Sequence, residues 1–266
     1  AMENGDIRID GRRIPVERGT AALIGAAVKT SEVLGTPPPF GYVVGDIGRG
    51  TGSRNLYKHL VDTFAASVFH TVTFHYLQPI VHWHNCLQQV IHAMETRPVL
   101  IADAGFMYVA KMSGHAAMYD LFTPDIGELS FLADETAPHP FYTRGFILHD
   151  ANRVPDLIAR AYEHNNAARF LLVKGKKDCL ADRGGILCEV DSPVEEVMEA
   201  IGGTGDTLTG ILSALICSGM DTKEAATVAM KTNRLAGSYA RPTPATQIID
   251  IISHIPKALE DTLQWI

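Results

Sequence analysis

The sequence predicts an α/β protein, a three-layer α/β/α arrangement in which helices cover both faces of a mostly parallel central sheet. Three observations predict it. Short apolar or β-branched runs alternate with stretches of helical spacing along most of the chain. No fixed-period repeat, low-complexity tract or linker interrupts that alternation, so residues 1–266 read as a single domain. A glycine cluster, Gly202-Gly203-Thr204-Gly205, stands directly ahead of a helical run.

The elements follow in order. Ala21–Gly35 is rich in alanine with one apolar face and predicts a helix, which Pro37-Pro38-Pro39 end. "GYVVGD", Gly41–Asp46, predicts a short strand. Leu56, Leu60, Val61 and Phe64 give Ser53–Ser67 helical spacing. Ser67–Leu77 is rich in β-branched and aromatic residues and predicts a strand, and Ile80–Thr96 predicts a helix. "RPVLIADAG", Arg97–Gly105, is a buried strand that opens into a polar end. Tyr119–Asp134 gives a short strand, a turn at Pro124 and a helix from about Ile126. Ala168–Asp182 gives two strands joined by a Gly-Lys-Lys turn. After Asp206, Leu208, Ile211, Leu212, Leu215 and Ile216 line one helical face, and Gly219 suits the cap that ends it. Asp221-Thr-Lys-Glu224 has the form of a capping box for a helix to about Tyr239. Ile248–Leu263 predicts a last helix, broken or kinked near Pro256.

The net charge of −7 argues against a general affinity for nucleic acid or an anionic membrane. No apolar run is long enough to span a bilayer, and the first residues lack a signal peptide's basic and apolar regions. A cytoplasmic location and a homo-oligomer are expected. Ala1 ahead of Met2 reads as a cloning remnant. Cys86, Cys179, Cys188 and Cys217 form no CxxC pair and read as small buried hydrophobes in a reducing compartment. His70, His75, His82 and His84 crowd one stretch, but His82 and His84 do not share a helical face, so a metal site is not expected there.

The glycine cluster carries the chemistry. A helix start leaves N–H groups without intrahelical acceptors, and the helix dipole adds partial positive charge. Glycines let those groups converge on a bulky anion, so Gly202, Gly203, Thr204 and Gly205 can form a phosphate cradle. Asp206 at its end has two readings: an ordinary helix cap, or a base that takes a proton from a hydroxyl attacking a phosphorus held in the cradle. In open α/β sheets ligands gather beyond the carboxyl ends of the strands, which points to Asp46, Asp103, Thr123 to Glu128, and Lys174-Gly175. Lys174 can meet a phosphate or can belong to a solvated turn with Lys176 and Lys177. "GDIGRGTGSR", Gly45–Arg54, fits neither a Rossmann nor a Walker A spacing; it reads as a small anion nest with Arg49 or Arg54, or as a plain loop. Asp125 and Glu128 have capping-box spacing.

"GGTGDTLTGILSALICSGM" resembles the signature of the ribokinase-like superfamily, in the wording of its carbohydrate-kinase domain of YjeF-type proteins, the NAD(P)H-hydrate dehydratases. "PVLIADAG", "LFTPDIGEL", "LLVKGKKD", "YVVGDIGRG" and "HIPKALEDTL" resemble the family's other segments in the same order, from about Tyr42 to the C-terminus. The resemblance implies a ribokinase-like fold, ATP or ADP as nucleotide, and a small-molecule substrate. It implies cradle amides at Gly203, Thr204 and Gly205 with Asp206 as base, and nucleotide contacts from Lys174, Gly175, Gly202, Gly203 and Gly205. It further implies substrate contacts from Asp46, Gly48 and Asp103, and Mg²⁺ held through water by Asp125 and Glu128. The chain departs from the family at Ile101, Phe106 and Asp125 and in the acidic stretch Asp191–Ala200, more on the substrate side than on the phosphate side. Three functions are therefore carried forward: a nucleotide-dependent NAD(P)H-hydrate dehydratase, an ATP-dependent kinase of a sugar or vitamin-precursor alcohol, and a nucleotide-binding protein without turnover.

Overall fold

The computed structural model describes residues 2–3, 5–46, 49–143 and 153–264. Backbone contacts divide the chain into two compact units with interleaved segments. Unit 1 comprises Ala1–Gly41, Lys176–Asp178 and Cys188–Ile266; unit 2 comprises Tyr42–Gly175 and Cys179–Leu187.

Unit 1 is mainly helical. A three-stranded antiparallel meander, β1 (Met2–Glu3), β2 (Asp6–Ile9) and β3 (Arg12–Pro15), leads into α1 (Thr20–Leu34). Later in the chain come α7 (Thr204–Cys217), α8 (Thr222–Ala240) and α9 (Ile248–Gln264). These four helices pack on one another through Ala26, Leu212, Ala229, Ile251 and Ile255, all buried. The α1–α7 crossing is close because of Gly210, where a Cβ would collide with the Leu23 carbonyl. α9 runs as one helix through Pro256, so of the expected break or kink the break does not occur. Asp221 caps α8 through the Lys223 N–H at 2.9 Å.

Unit 2 holds most of a six-stranded sheet in the order β4 (Thr71–Phe74), β5 (Val99–Ala102), β6 (Leu121–Phe122), β7 (Phe170–Val173), β8 (Asp178–Asp182), β9 (Gly185–Val190). The first four strands are parallel and β8 returns antiparallel to β7. The ends of β8 and β9 at Asp178 and Cys188–Val190 count with unit 1. Helices α2 (Thr51–Thr63), α3 (Val81–His92), α4 (Gly105–Met112), α5 (Ile126–Ala133) and α6 (Val154–Glu163) connect the strands. β5, β6 and β7 are almost wholly apolar and buried, as strands covered on both faces must be.

Two sequence expectations change here. Gly41–Asp46 forms no strand; Tyr42, Val43 and Val44 are exposed, so the apolar run lacks the cross-strand partners that would make it one. Phe106 belongs to the core: it is fully buried and stacks on Phe74 with ring centroids 4.3 Å apart. A substitution that looked like a change on the substrate side is thus a packing residue. Among the cysteines only Cys179 is buried; Cys86 and Cys188 are partly exposed and Cys217 is exposed, and all four are free.

His84 is buried in this core and bonds to Tyr119 Oη at 2.8 Å through Nε2 and to Ser113 Oγ at 2.9 Å through Nδ1. Ser113 Oγ also reaches the Val109 carbonyl at 2.7 Å and the Ala110 carbonyl at 3.2 Å, so the ring is tied to the neighbouring helix α4. Burial pushes the imidazole pKa down to about 3, with nearby His115 adding to the shift, so the ring is a neutral core residue.

Candidate active site

Unit 1 carries one candidate cluster, built from the starts of two helices. Gly203 is the N-cap of α7, with φ of 105°, and donates no side-chain cap. Thr204, Gly205 and Asp206 are the first three helical residues, so their N–H groups point out of the helix without intrahelical acceptors. The positive φ at Gly203 is the reason for glycine there, and space adds to it: a Cβ would lie 2.9 Å from Ile248 Cγ1. Asp206 does not cap its own helix. Its Oδ2 accepts the Gly19 N–H at 2.8 Å, and Gly19 is itself the N-cap of α1, another helix without a side-chain cap. One carboxylate therefore sits at the positive ends of two helices. Gly19 gave no signal in the sequence, because its role depends on the packing of α1 against α7. Asn233 of α8 braces the turn: its Nδ2 donates to the Thr204 carbonyl at 3.1 Å, and its Oδ1 accepts from Thr207 Oγ1 at 2.7 Å. Arg234 clamps the neighbouring chain, donating to Asp178 Oδ2 and to the Lys176 carbonyl, each at 2.8 Å.

Unit 2 carries a second candidate cluster, along the carboxyl ends of four adjacent parallel strands. Phe74 pairs with Ala102, Ala102 with Phe122 and Phe122 with Leu171. This register brings the residues just past each strand, His75, Asp103, Thr123 to Asp125, and Lys174, to one edge. Lys174 continues the pairing, since its N–H donates to the Pro124 carbonyl at 2.8 Å. Its ammonium donates to Asp103 Oδ1 at 2.8 Å, with side-chain exposures of 14% and 1%. Lys174 is thus one half of a buried ion pair, not part of a solvated turn. His75 Nε2 lies 4.0 Å from the other Asp103 oxygen, and Asp103 Oδ1 also accepts the Ala104 N–H at 2.8 Å. The sequence reading gave His75 no functional role; only the strand register shows it beside Asp103.

Asp125 and Glu128 form a complete capping box at the start of α5. Asp125 Oδ1 accepts the Glu128 N–H and Glu128 Oε2 accepts the Asp125 N–H, each at 2.8 Å. The box uses one oxygen of each carboxyl and leaves hard oxygen donors for water or a hydrated cation. Burial pushes the Glu128 carboxyl up to about 8, with Asp103 and Asp125 adding to the shift and Lys174 opposing it. A divalent cation would relieve that accumulation of acids, so the donor set fits one held through water.

Asp46 serves the loop that bears it. Its carboxylate accepts from Gly50 N at 2.8 Å, Ser53 N at 3.1 Å and Ser53 Oγ at 3.0 Å, so it closes the glycine loop onto the first turn of α2. The Ser53 N–H bond leads in holding its pKa below the ordinary carboxylate value. Ser53 Oγ in turn accepts the Gln78 N–H at 3.1 Å, which ties this loop to the one following β4. Gly48, the other expected substrate contact in the loop, lies outside the described residues. Arg54 donates to the Arg49 carbonyl at 2.8 Å. Gly175 is exposed directly after Lys174.

The fold and these phosphate-suited features define a ribokinase-like α/β protein. The structure resembles YxkO of Bacillus subtilis, a member of the UPF0031 family, at a TM-score of 0.58 and 16% identity, covering 91% of this chain and 87% of that one. It also resembles the pyridoxal kinase of Staphylococcus aureus, solved with AMP-PCP and pyridoxal, at a TM-score of 0.55 and 15% identity, covering 78% and 79%. The chain belongs to the NAD(P)H-hydrate dehydratase family, whose pattern its residues 78–257 match. Protein MJ1337 of Methanocaldococcus jannaschii is 42% identical over 243 residues, 91% of this chain and all of that protein. The bifunctional NAD(P)H-hydrate repair enzyme Nnr of Hyperthermus butylicus is 34% identical over 116 residues, 41% of this chain but 21% of that enzyme. The family match takes in the cradle, Asp103, Asp125, Glu128 and Lys174; the Asp46 loop and His75 precede it. No described helix is long and apolar enough to cross a membrane.

Proposed function

We propose that this protein is a nucleotide-dependent hydro-lyase that restores hydrated NADH or NADPH. The observation that carries the reading is the start of α7, where an uncapped helix turn with a family-like glycine cluster adjoins Asp206. ADP or ATP, when bound, supplies the phosphate chemistry that makes the hydrate's hydroxyl a better leaving group. The amides of Gly203, Thr204 and Gly205 hold phosphoryl oxygens, and Gly202 lets the chain approach them. Asp206 accepts the proton of the reacting hydroxyl at its carboxylate; the bond from Gly19 fixes its direction. Lys174 and Gly175 contact the nucleotide, and Asp125 and Glu128 hold Mg²⁺ through water. Asp103, Asp46 and Gly48 serve the substrate, Asp46 by ordering its loop. Residues 1–266 act as one catalytic domain, in a cytoplasmic homo-oligomer.

The test is incubation with hydrated NADH and either ADP or ATP, followed at the reduced-nicotinamide absorbance. Nucleotide-dependent recovery of that absorbance is expected. The likeness to a pyridoxal kinase favours a second reading, phosphorylation of a small alcohol. ATP consumption with such alcohols, and no recovery of hydrated NADH, would establish that reading instead. Thermal stabilisation by nucleotide with no turnover on either substrate would leave a binding protein.

A further inference from the structure

We propose that Tyr76 is a substrate-binding residue, the aromatic platform on which the flat part of the substrate's ring is stacked. The inference rests on the hydrated-nicotinamide reading for the identity of that ring. The platform itself rests on the geometry of unit 2.

Tyr76 follows β4 at the carboxyl edge of the parallel strands and has φ of 49°. Ala104, which follows β5 at the same level, has φ of 51°. Left-handed backbone is uncommon for an alanine and more so for an aromatic, and glycine or asparagine would adopt it at lower cost. Such conformations persist where the surroundings fix them and collect at ligand sites. Here they flank the buried Lys174–Asp103 pair on neighbouring strands.

The left-handed turn sends consecutive side chains to different fates. His75 is buried beside Asp103, whereas Tyr76 is 61% exposed. The two rings meet edge to face, with centroids 4.3 Å apart at 72°, so Tyr76 is held although it faces solvent. Tyr108, in the first turn of α4, lies close by. Burial pushes its phenol pKa up, and Glu128, Asp125, Tyr76 and Asp103 reinforce the shift. Its ring is in turn fixed edge-on against Phe131 at 5.2 Å. The exposed Tyr76 ring, fixed against His75, is thus bordered by a small set of placed polar groups, the composition that orients a small planar ligand. A hydrated nicotinamide keeps a flat conjugated enamide half that matches it, and its carboxamide can bond to groups at the strand ends. A sugar alcohol offers no such face.

The experiment uses the full chain and three substitutions: Tyr76→Phe keeps the ring, Tyr76→Asn suits the left-handed backbone without a ring, and Tyr76→Leu keeps bulk. Reduced nicotinamide mononucleotide is the ring-bearing probe and ribose 5-phosphate the ringless control, with Kd measured by calorimetry and folding checked by Tm. Tyr76→Phe is expected to bind the ring probe as the wild type does. Tyr76→Asn and Tyr76→Leu are expected to bind it about tenfold or more weakly, with the ringless control unchanged. In turnover of hydrated NADH the same two variants raise KM and leave kcat nearly constant. Equal affinity of wild type and Tyr76→Asn for the ring probe overturns the platform, as does equal wild-type affinity for the two probes. Ring-dependent binding through Tyr76 without turnover of any hydrated dinucleotide supports the platform and instead defeats the proposed reaction.

Discussion

The start of α7 and the carboxyl edge of the parallel strands both concentrate polar groups, yet they are made in opposite ways. At α7 the unpaired polar atoms are main-chain amides, and the Asp206 carboxylate among them is held by another helix start through Gly19. At the strand edge the polar groups are side chains: Lys174 pairs with Asp103, Asp125 boxes with Glu128, and His75 and Tyr76 pack ring on ring. A backbone site needs glycines in a fixed local order, so it is written contiguously. A side-chain site needs only one residue at the end of each strand, so it is scattered over the hundred residues from His75 to Lys174.

The contrast predicts different responses to substitution. The largest effect falls on chemistry at the α7 start. Asp206→Asn keeps an amide oxygen that can accept the Gly19 N–H, so the helix start persists while the base is lost. Turnover of hydrated NADH is expected to fall by about 10²–10⁴-fold, with nucleotide-induced thermal stabilisation retained. Normal turnover in that variant would remove the base from the mechanism and leave only the amides. The next largest effect is on stability at the strand edge. Lys174→Ala removes the ammonium from the Asp103 carboxylate, which is 1% exposed, and is expected to cost about 3–5 kcal/mol in urea unfolding. Lys174→Gln combined with Asp103→Asn restores neutral hydrogen bonding and should recover most of that loss. A cost below about 1 kcal/mol for the single variant would mean that the Ala104 N–H and His75, not Lys174, hold Asp103.

The same contrast explains which parts were legible in the sequence. The helical face from Leu208 to Ile216, the glycine turn that starts α7 and the Asp125 box are local patterns, and each stands in the structure where its spacing placed it. The run of four parallel strands was legible because strand and helix signals alternate. Gly41–Asp46 misled because an apolar run becomes a strand only beside another strand. Phe106 misled because position in a family pattern does not reveal which way a side chain turns; stacking on Phe74 decides that. Gly19, His75 and Tyr76 were missed for one physical reason. Their roles come from contacts between segments distant in sequence, or from a backbone dihedral that tyrosine rarely adopts.

A smaller effect separates the cradle's shape from its charge. Gly203→Ala places a Cβ on backbone at φ of 105° and within 2.9 Å of Ile248 Cγ1. The expected cost is about 1–3 kcal/mol, read as a lower midpoint in chemical unfolding, together with weaker nucleotide binding because the amides no longer converge. Unchanged stability with weakened binding would make the glycine a device for ligand approach alone.

The smallest effect decides whether the strand edge is structural first. Asp125 caps α5 with one carboxylate oxygen, so Asp125→Ala should cost about 1 kcal/mol. Asp125→Ser keeps an oxygen that can take the Glu128 N–H, and is expected to restore most of that stability. It cannot restore a negative oxygen for a hydrated cation. Nucleotide affinity measured with Mg²⁺ and again with excess chelator then separates the two duties. If the carboxylate serves the cation as well as the helix, Asp125→Ser has near-native stability but loses the affinity that Mg²⁺ adds. If serine restores both, the box is a helix cap alone, and metal binding must be sought among other oxygen donors.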